Sequence, residues 1–173
     1  QSSSESGTLV TWCLGGSKSD SVRGPDIDIA VEEGSREFGA AVAKEFGGRF
    51  VFHPRFLSGS VQLLPTPDSP LPSHLDITQT RAETYERPAV LPAVRPASIV
   101  GDLGRRDFTI NAMALEITPG SFGAFIDPFD GRADVEQHRV RVLHARSFID
   151  DPTRIFRCIR FATRLGFKIE QQT

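Results

Sequence analysis

The chain has 173 residues, of which 39% are hydrophobic and 24% are charged, a balance typical of a globular protein with one hydrophobic core. Its formal net charge of −2 excludes a strong overall positive charge, so any contact with nucleic acid must be local. No run approaches the roughly 18–20 apolar residues of a membrane span, and the polar first residues lack a signal-peptide core. We therefore expect a cytoplasmic protein.

The first eighty residues predict a sheet with one helix. Thr8–Leu14 is a β-rich apolar run that ends at the turn residues Gly15 and Gly16. Strict alternation from residue 26 to 31 predicts a strand with aspartates on one face and aliphatic side chains on the other. Glu33–Phe46 has helical spacing and a glycine stop. Three further strands are predicted, at Arg49–His53, Ser58–Leu64 and His74–Thr78.

The second half of the chain has a different pattern. Gln79–Arg105 contains three prolines and little periodicity, so we expect it to be unstructured and either functional or disordered. Asp150–Leu165 has a start signal and a glycine stop, which together predict the strongest helix of the chain. Its apolar residues at helical spacing are Ile155, Ile159, Ala162 and Leu165.

The aspartates of the alternating strand are the first candidate for chemistry. Asp26 and Asp28 are two residues apart on a strand, so their α-carbons lie about 6–7 Å apart on one face and both carboxylates can reach the same Mg²⁺ ions. Such ions can activate a hydroxyl and hold a triphosphate. The alternative is that the two aspartates only form the solvated face of an edge strand. The turn Gly15-Gly16, a nine-residue spacer and these aspartates resemble the signature of the polymerase-beta-like nucleotidyltransferase superfamily.

A longer motif lies downstream. Arg105–Ala114 reads RRDFTINAMA, and it is followed in order by Ile126–Phe129, Arg141–His144 and Asp150–Arg154. These segments resemble the class II tRNA nucleotidyltransferase and bacterial poly(A) polymerase family. The resemblance implies an α/β (α+β) fold: a catalytic head with a small mixed sheet over residues 1–145, and the start of a helical neck over 146–173. We expect the family's body and tail domains to be absent from the given residues.

The same resemblance implies roles for individual residues. Asp26 and Asp28 would be the catalytic metal ligands, and Asp76 is a candidate third acidic group that could equally be structural. Asp151 and Arg154 would form an amino-acid template, since a carboxylate accepts from the amino group of C or A while a guanidinium donates to the adjacent ring acceptor. The residues that would contact the nucleotide elsewhere are Gly15, Gly16, Arg106, Asp107, Asn111 and the candidate Arg157.

The implied activity is template-independent addition of AMP, alone or after CMP, to the 3′ end of tRNA or a similar RNA, as CCA or a terminal A. The implied cofactor is Mg²⁺, and the implied nucleotide substrates are ATP alone or ATP and CTP. The segment Thr80–Arg105, which includes Glu83 and Tyr85, resembles the loop of enzymes that add A. A poly(A) polymerase of the same family and a non-catalytic nucleotide-binding relative remain alternatives. The polar segment Ser17–Pro25 departs from the family's pattern and favours the last of these, with Arg23 as a candidate substitute triphosphate contact. The oligomeric state stays open.

Overall fold

A computed structural model describes residues 8–11, 27–64, 73–87 and 90–173 of the chain. The strands and helices in chain order are β1 Thr8–Thr11, β2 Ile27–Val31, α1 Ser35–Glu45, β3 Gly48–His53, β4 Ser58–Leu63, β5 His74–Gln79, β6 Arg81–Thr84, β7 Ala93–Pro96, α2 Ile99–Gly104, β8 Ala114–Glu116, β9 Phe125–Ile126, α3 Gly131–Glu136, β10 Arg139–Val140, α4 Ser147–Asp150, α5 Thr153–Leu165 and β11 Lys168–Ile169. Short 3₁₀ turns occupy Pro54–Phe56 and Thr109–Asn111.

The chain divides into two compact units. The first comprises Gln1–Thr80 with Leu115–Ala124, and the second comprises Arg81–Ala114 with Phe125–Thr173. The boundary between residues 145 and 146 that the sequence suggests for a head and a neck stays a prediction.

The first unit is built on a mixed sheet. Its strands lie in the order β3-β4-β5-β2-β1-β8. Strands β2 and β5 run parallel, whereas the β3–β4, β4–β5, β1–β2 and β1–β8 pairs are antiparallel. The expected α/β fold with a small mixed sheet is therefore confirmed, and the parallel pair lies at its centre.

Strand β2 separates core and polar side chains as its alternation predicts. Ile29 and Val31 are buried in a cluster with Val61 and Ile77, and helix α1 covers this cluster with apolar side chains. Because successive side chains of a strand point to opposite faces, Asp28 lies on the face away from this core. Asp28 is half-buried, and Asp26 lies outside the described residues.

The expectation of an unstructured segment from Gln79 to Arg105 is wrong. Strands β6 and β7 pair as an antiparallel hairpin in full register, and helix α2 follows directly. Pro96 is tolerated because a two-stranded ribbon has only edge strands, where a missing N–H breaks no ladder. The Ser98 side chain caps α2 by accepting from the Gly101 N–H at 3.4 Å. Four-residue strands and a six-residue helix are too short to show a sequence period.

The predicted helix is confirmed as α5, but it begins at Thr153 rather than at Asp150, which ends the separate helix α4. Gly166 ends α5 in the left-handed conformation with φ of 68°. The apolar residues whose spacing predicts the helix are not the residues that the helix buries. Ile155 and Ile159 are 44% and 53% exposed, whereas the buried residues of the helix are Arg154, Cys158 and Phe161. A charged side chain therefore takes a core position at the start of this helix.

Within the described residues, no helix is long and apolar enough to span a bilayer.

Gly131 begins helix α3 at a position where the neighbouring atoms leave no room for a side chain. A β-carbon there would lie 2.2 Å from the Thr109 carbonyl oxygen and 2.8 Å from the Met113 Cγ atom. We therefore expect Gly131→Ala to destabilise the protein by about 2 kcal/mol, the scale of overpacking, and to lower the Tm by roughly 4–8 °C. Gly120→Ala is the control, since no atom lies within 4 Å of its β-carbon position. Equal melting curves for both variants would contradict this packing argument.

Candidate active site

The first unit places two aspartates side by side. Asp28 on β2 and Asp76 on β5 are register partners on adjacent parallel strands, which lie about 4.8 Å apart. Side chains at paired positions stand on the same face, so the two carboxylates project together from the face opposite the hydrophobic core. Asp76, the predicted third acidic residue, thus lies beside Asp28, one of the two predicted metal ligands.

Asp76 has additional polar neighbours. The His74 Nε2 atom lies 3.0 Å from the Asp76 Oδ1 atom, and both side chains are about half exposed. The Ser60 hydroxyl lies 3.2 Å from the same imidazole nitrogen. The sequence analysis did not associate His74 with the aspartates, although its position two residues before Asp76 on one strand puts both on the same face.

The donor chemistry of this face fits a hard divalent cation. Mg²⁺ prefers carboxylate oxygens and is usually held by one or two carboxylates together with substrate phosphates. Asp28 and Asp76 supply two such groups in register. In the part of the chain that the structure describes, no group of three or more His, Cys, Asp or Glu side chains forms a metal cluster. The predicted ligand Asp26 and the predicted phosphate contacts Gly15 and Gly16 lie outside the described residues.

In the second unit, the RRD motif is organised around a buried carboxylate. Asp107 is 5% exposed and accepts hydrogen bonds from the Asn111 Nδ2 atom at 2.5 Å and from the Phe108 N–H at 3.2 Å. The Arg157 Nε atom donates to its other oxygen. Asp107, Asn111 and Arg157, all predicted nucleotide contacts, therefore form one connected group, and only Arg157 is substantially exposed.

The two arginines of the motif are held by a residue that the sequence analysis missed. Asp102 is 1% exposed. Its carboxylate accepts from the Arg105 Nε atom at 3.0 Å, from the Arg105 Nη2 atom at 2.9 Å and from the Arg106 Nη2 atom at 3.5 Å. It also accepts from the Arg81 N–H at 3.0 Å. The spacings i+3 and i+4 from Asp102 to the arginines on a helical segment are the signal that could have revealed it.

Arg154 fixes the backbone of the same motif. Its guanidinium donates to the Arg105 carbonyl at 2.9 Å, to the Arg106 carbonyl at 3.4 Å and to the Ser147 hydroxyl at 2.9 Å. The residue is 6% exposed. This predicted template arginine is therefore held rigidly, with its Nε atom 3.8 Å from the Asp151 Oδ2 atom.

Asp151, the other predicted template residue, interacts with the start of its own helix. Its Oδ1 atom accepts from the Thr153 N–H at 2.9 Å and from the Thr153 hydroxyl at 2.6 Å. These bonds satisfy a free N–H at the start of α5, as a capping side chain does. The Oδ2 atom faces Arg154, so the predicted pair is in contact.

A pocket of about 220 Å³ adjoins this pair in the second unit. Its charged, hydroxyl and imidazole groups come from the β6 strand and its turn, from the end of α2, and from the segment that leads into α5. They belong to Glu83, Tyr85, Arg105, His144, Asp150 and Arg154. The volume is below the roughly 300–1,000 Å³ of pockets for drug-sized ligands, so this pocket could hold only part of a ligand of that size.

Burial and charge shift two titratable groups of this pocket. Burial raises the pKa of Tyr85, and the charge and hydrogen bond of Glu83 raise it further. Burial lowers the pKa of His144, and the positive charge of Arg154 lowers it further. Tyr85 is therefore a neutral hydrogen-bond donor and His144 a mostly neutral imidazole at pH 7.

Comparison with known proteins identifies the family. Residues 12–141 match the Poly A polymerase head domain. The chain is 40% identical over 169 residues to an A-adding tRNA nucleotidyltransferase of Halalkalibacterium halodurans, a match that covers 94% of this chain and 37% of the relative. It therefore spans little more than a third of that relative's length.

Solved structures give the same result. A CCA-adding enzyme in its apo form II superimposes with a TM-score of 0.80 at 38% identity, covering 95% of this chain and 38% of that one. A tRNA nucleotidyltransferase complexed with a primer tRNA and an incoming ATP analog superimposes with a TM-score of 0.76 at 33% identity, covering 96% and 44%. The resemblance seen in the motifs is confirmed, and the chain belongs to the Poly A polymerase head domain family.

Proposed function

We propose that this chain is the catalytic head of a tRNA nucleotidyltransferase that adds AMP, alone or after CMP, to the 3′ end of tRNA. The observation that carries the proposal is the register of Asp28 with Asp76 on the central parallel strands, on the face away from the core. The family supports it, because the similar enzyme of Halalkalibacterium halodurans is an A-adding tRNA nucleotidyltransferase.

Asp28 and Asp76, together with Asp26, would hold Mg²⁺. Bound there, the ion would supply the charge that activates a 3′-hydroxyl and neutralises a triphosphate. The protein's own part is to fix the Asp28 and Asp76 carboxylates on a sheet rather than on a loop. Gly15 and Gly16 would offer backbone N–H groups to the triphosphate, as glycine turns do in anion sites.

Base selection would use Arg154 and Asp151. An arginine held by two backbone carbonyls keeps its remaining N–H groups in fixed directions, which is what reading a base edge requires. Asp151 beside it can accept from the exocyclic amine that A and C share. Asp150 lines the adjoining pocket and is a second candidate acceptor. The rates at which the variants Asp150→Asn and Asp151→Asn use ATP and GTP should therefore be compared.

The proposed activity is tested by Mg²⁺-dependent incorporation of labelled ATP and CTP. The substrates are a tRNA that ends at the discriminator base, a tRNA that ends in CC, and an unstructured RNA. We expect AMP to be added once to the tRNA that ends in CC. Prior addition of two CMP to the shorter tRNA would define a CCA-adding enzyme.

Two outcomes would replace the proposal. Long A tails on the unstructured RNA would identify a poly(A) polymerase. Binding of ATP without extension of any of the three RNAs would identify a non-catalytic relative, for which Asp28→Ala would change no measured property.

A further inference from the structure

The β6 strand and the turn after it contribute one aromatic ring to the pocket beside Arg154. Tyr85 is half-buried and lines this pocket together with Glu83. Arg154 lines the same pocket, so the ring lies beside one member of the pair proposed to read the base. Tyr85 is also the only tyrosine of the chain.

Glu83 holds this tyrosine in place. Its Oε2 atom accepts from the Tyr85 hydroxyl at 3.1 Å, and its Oε1 atom accepts from Arg105 at 2.9 Å. The Glu83 side chain is 11% exposed, and the Arg81 Nε atom lies 3.6 Å from its Oε1 atom. A carboxylate with this many partners has little rotational freedom. It links the aromatic ring to Arg105 of the RRD motif, which Asp102 fixes in turn.

We propose that Tyr85 is a specificity-determining residue that packs its ring against an adenine base in this pocket, and that Glu83 is a positioning residue that fixes the ring. This inference rests on the proposed function and adds to it. An aromatic ring stacks on any base, but a two-ring purine offers it more area than a pyrimidine does. The ring therefore favours ATP over CTP, a discrimination that Asp151 and Arg154 cannot make, because A and C present the same amine and ring acceptor to them.

A spectroscopic test observes the ring directly. Incorporating ¹³C-labelled tyrosine gives a single set of ring signals, because the chain has no other tyrosine. Titration with ATP should shift these signals strongly, and titration with CTP at equal saturation should shift them less, since a purine has the larger ring current. If the signals stay fixed while calorimetry shows that ATP binds, the inference is overturned.

Variants separate the ring from the hydroxyl. We expect Tyr85→Ala to raise the Kd for ATP about tenfold, as loss of a stacking aromatic ring does, and to raise the Kd for CTP less. Tyr85→Phe keeps the ring but loses the hydrogen bond to Glu83, so its Kd for ATP should lie between those of wild type and Tyr85→Ala. Equal Kd values for ATP in wild type and Tyr85→Ala, with unchanged Tm, would contradict the proposed stacking.

Glu83→Gln tests the positioning role. Removing the charge should lower the Tyr85 pKa toward its ordinary value, which an ultraviolet titration of the single phenol reads directly, and should weaken ATP binding severalfold. Glu86→Gln is the matched control, because Glu86 is exposed on the same turn. A Tyr85 pKa that does not change in Glu83→Gln would refute the positioning role.

These readouts are independent of catalysis. If the wild-type protein extends no RNA, the proposed function fails whatever Tyr85 does. If the protein adds AMP but the Tyr85 ring signals do not shift on titration with ATP, the proposed function stands and only the role of Tyr85 fails.

Discussion

Asp28→Ala is expected to lower the rate of AMP incorporation by about 10³-fold while leaving the fold intact. A metal-bound carboxylate contributes several kcal/mol to transition-state stabilisation, and about 4 kcal/mol corresponds to 10³-fold at 1.36 kcal/mol per tenfold. The side chain is half-buried on the face away from the core, so its truncation opens no cavity among Ile29, Val31 and their neighbours. Single-turnover extension of a tRNA ending in CC measures the effect, and thermal unfolding checks the fold.

Glu33→Gln is the matched control for this prediction. Glu33 is an exposed acidic residue two positions after the end of β2, so the variant removes the same charge near the same strand without touching the paired aspartates. It should extend tRNA at the wild-type rate. If Asp28→Ala retains more than a tenth of that rate, Asp28 is not a metal ligand.

Metal substitution distinguishes direct ligation from a general electrostatic role. Asp28→Cys replaces a hard oxygen ligand by a softer thiolate, which Mg²⁺ binds poorly and Mn²⁺ binds better. Activity of this variant that returns with Mn²⁺, and not with Mg²⁺, would be the signature of ligation. Asp76→Asn is expected to show a smaller loss, because His74 already competes for that carboxylate.

The sequence predicts the first unit well because its signals are local. A strand of period two with Ile29 and Val31 on one face can only bury that face, so the direction of Asp28 follows from the alternation alone. The register of Asp28 with Asp76 does not follow. It depends on which strands are neighbours in the sheet and on whether they run parallel or antiparallel. No local sequence pattern indicates a pairing between residues nearly fifty positions apart.

The second unit is harder to predict for two physical reasons. Its hairpin and α2 are shorter than the windows in which hydrophobic periods become visible, so Gln79–Arg105 reads as loop. Its core also contains charge. An arginine at position 154 reads as an exposed residue, yet it is buried because the carbonyls of Arg105 and Arg106, 49 and 48 residues away, accept from it. Only the assembled structure supplies those acceptors.

A further buried charge should dominate the stability of the second unit. Asp134 on α3 is fully buried and accepts from the Thr109 hydroxyl at 2.5 Å, from the Arg141 Nε atom at 2.8 Å and from the Arg139 Nε atom. Removing one partner of a buried ionic group leaves the others uncompensated. We expect Asp134→Ala to cost about 3–5 kcal/mol of unfolding free energy, measured by urea titration.

Glu136→Ala on the same helix is the control. Its ion pair with Arg132 joins two largely exposed side chains, and such pairs contribute roughly 0–1 kcal/mol. The two variants remove the same kind of charge two residues apart and differ mainly in burial. A loss of equal size in both would mean that the buried network contributes no more than a surface pair.

The pH dependence of the Asp134 effect has a defined sign. Burial raises the pKa of Asp134, but the hydrogen bonds from Thr109, Arg139 and Arg141 and the charge of Arg141 lower it by more, so the folded pKa lies below the ordinary value of 3.8. A carboxyl with a depressed folded pKa contributes stability above its unfolded pKa and loses it as the pH falls through the folded pKa. The difference in unfolding free energy between wild type and Asp134→Asn should therefore be constant from pH 7 to about pH 5 and shrink below about pH 4. If this difference in unfolding free energy instead increased as the pH falls, Asp134 would be protonated in the folded protein, and its ion pairs with Arg139 and Arg141 would be contradicted.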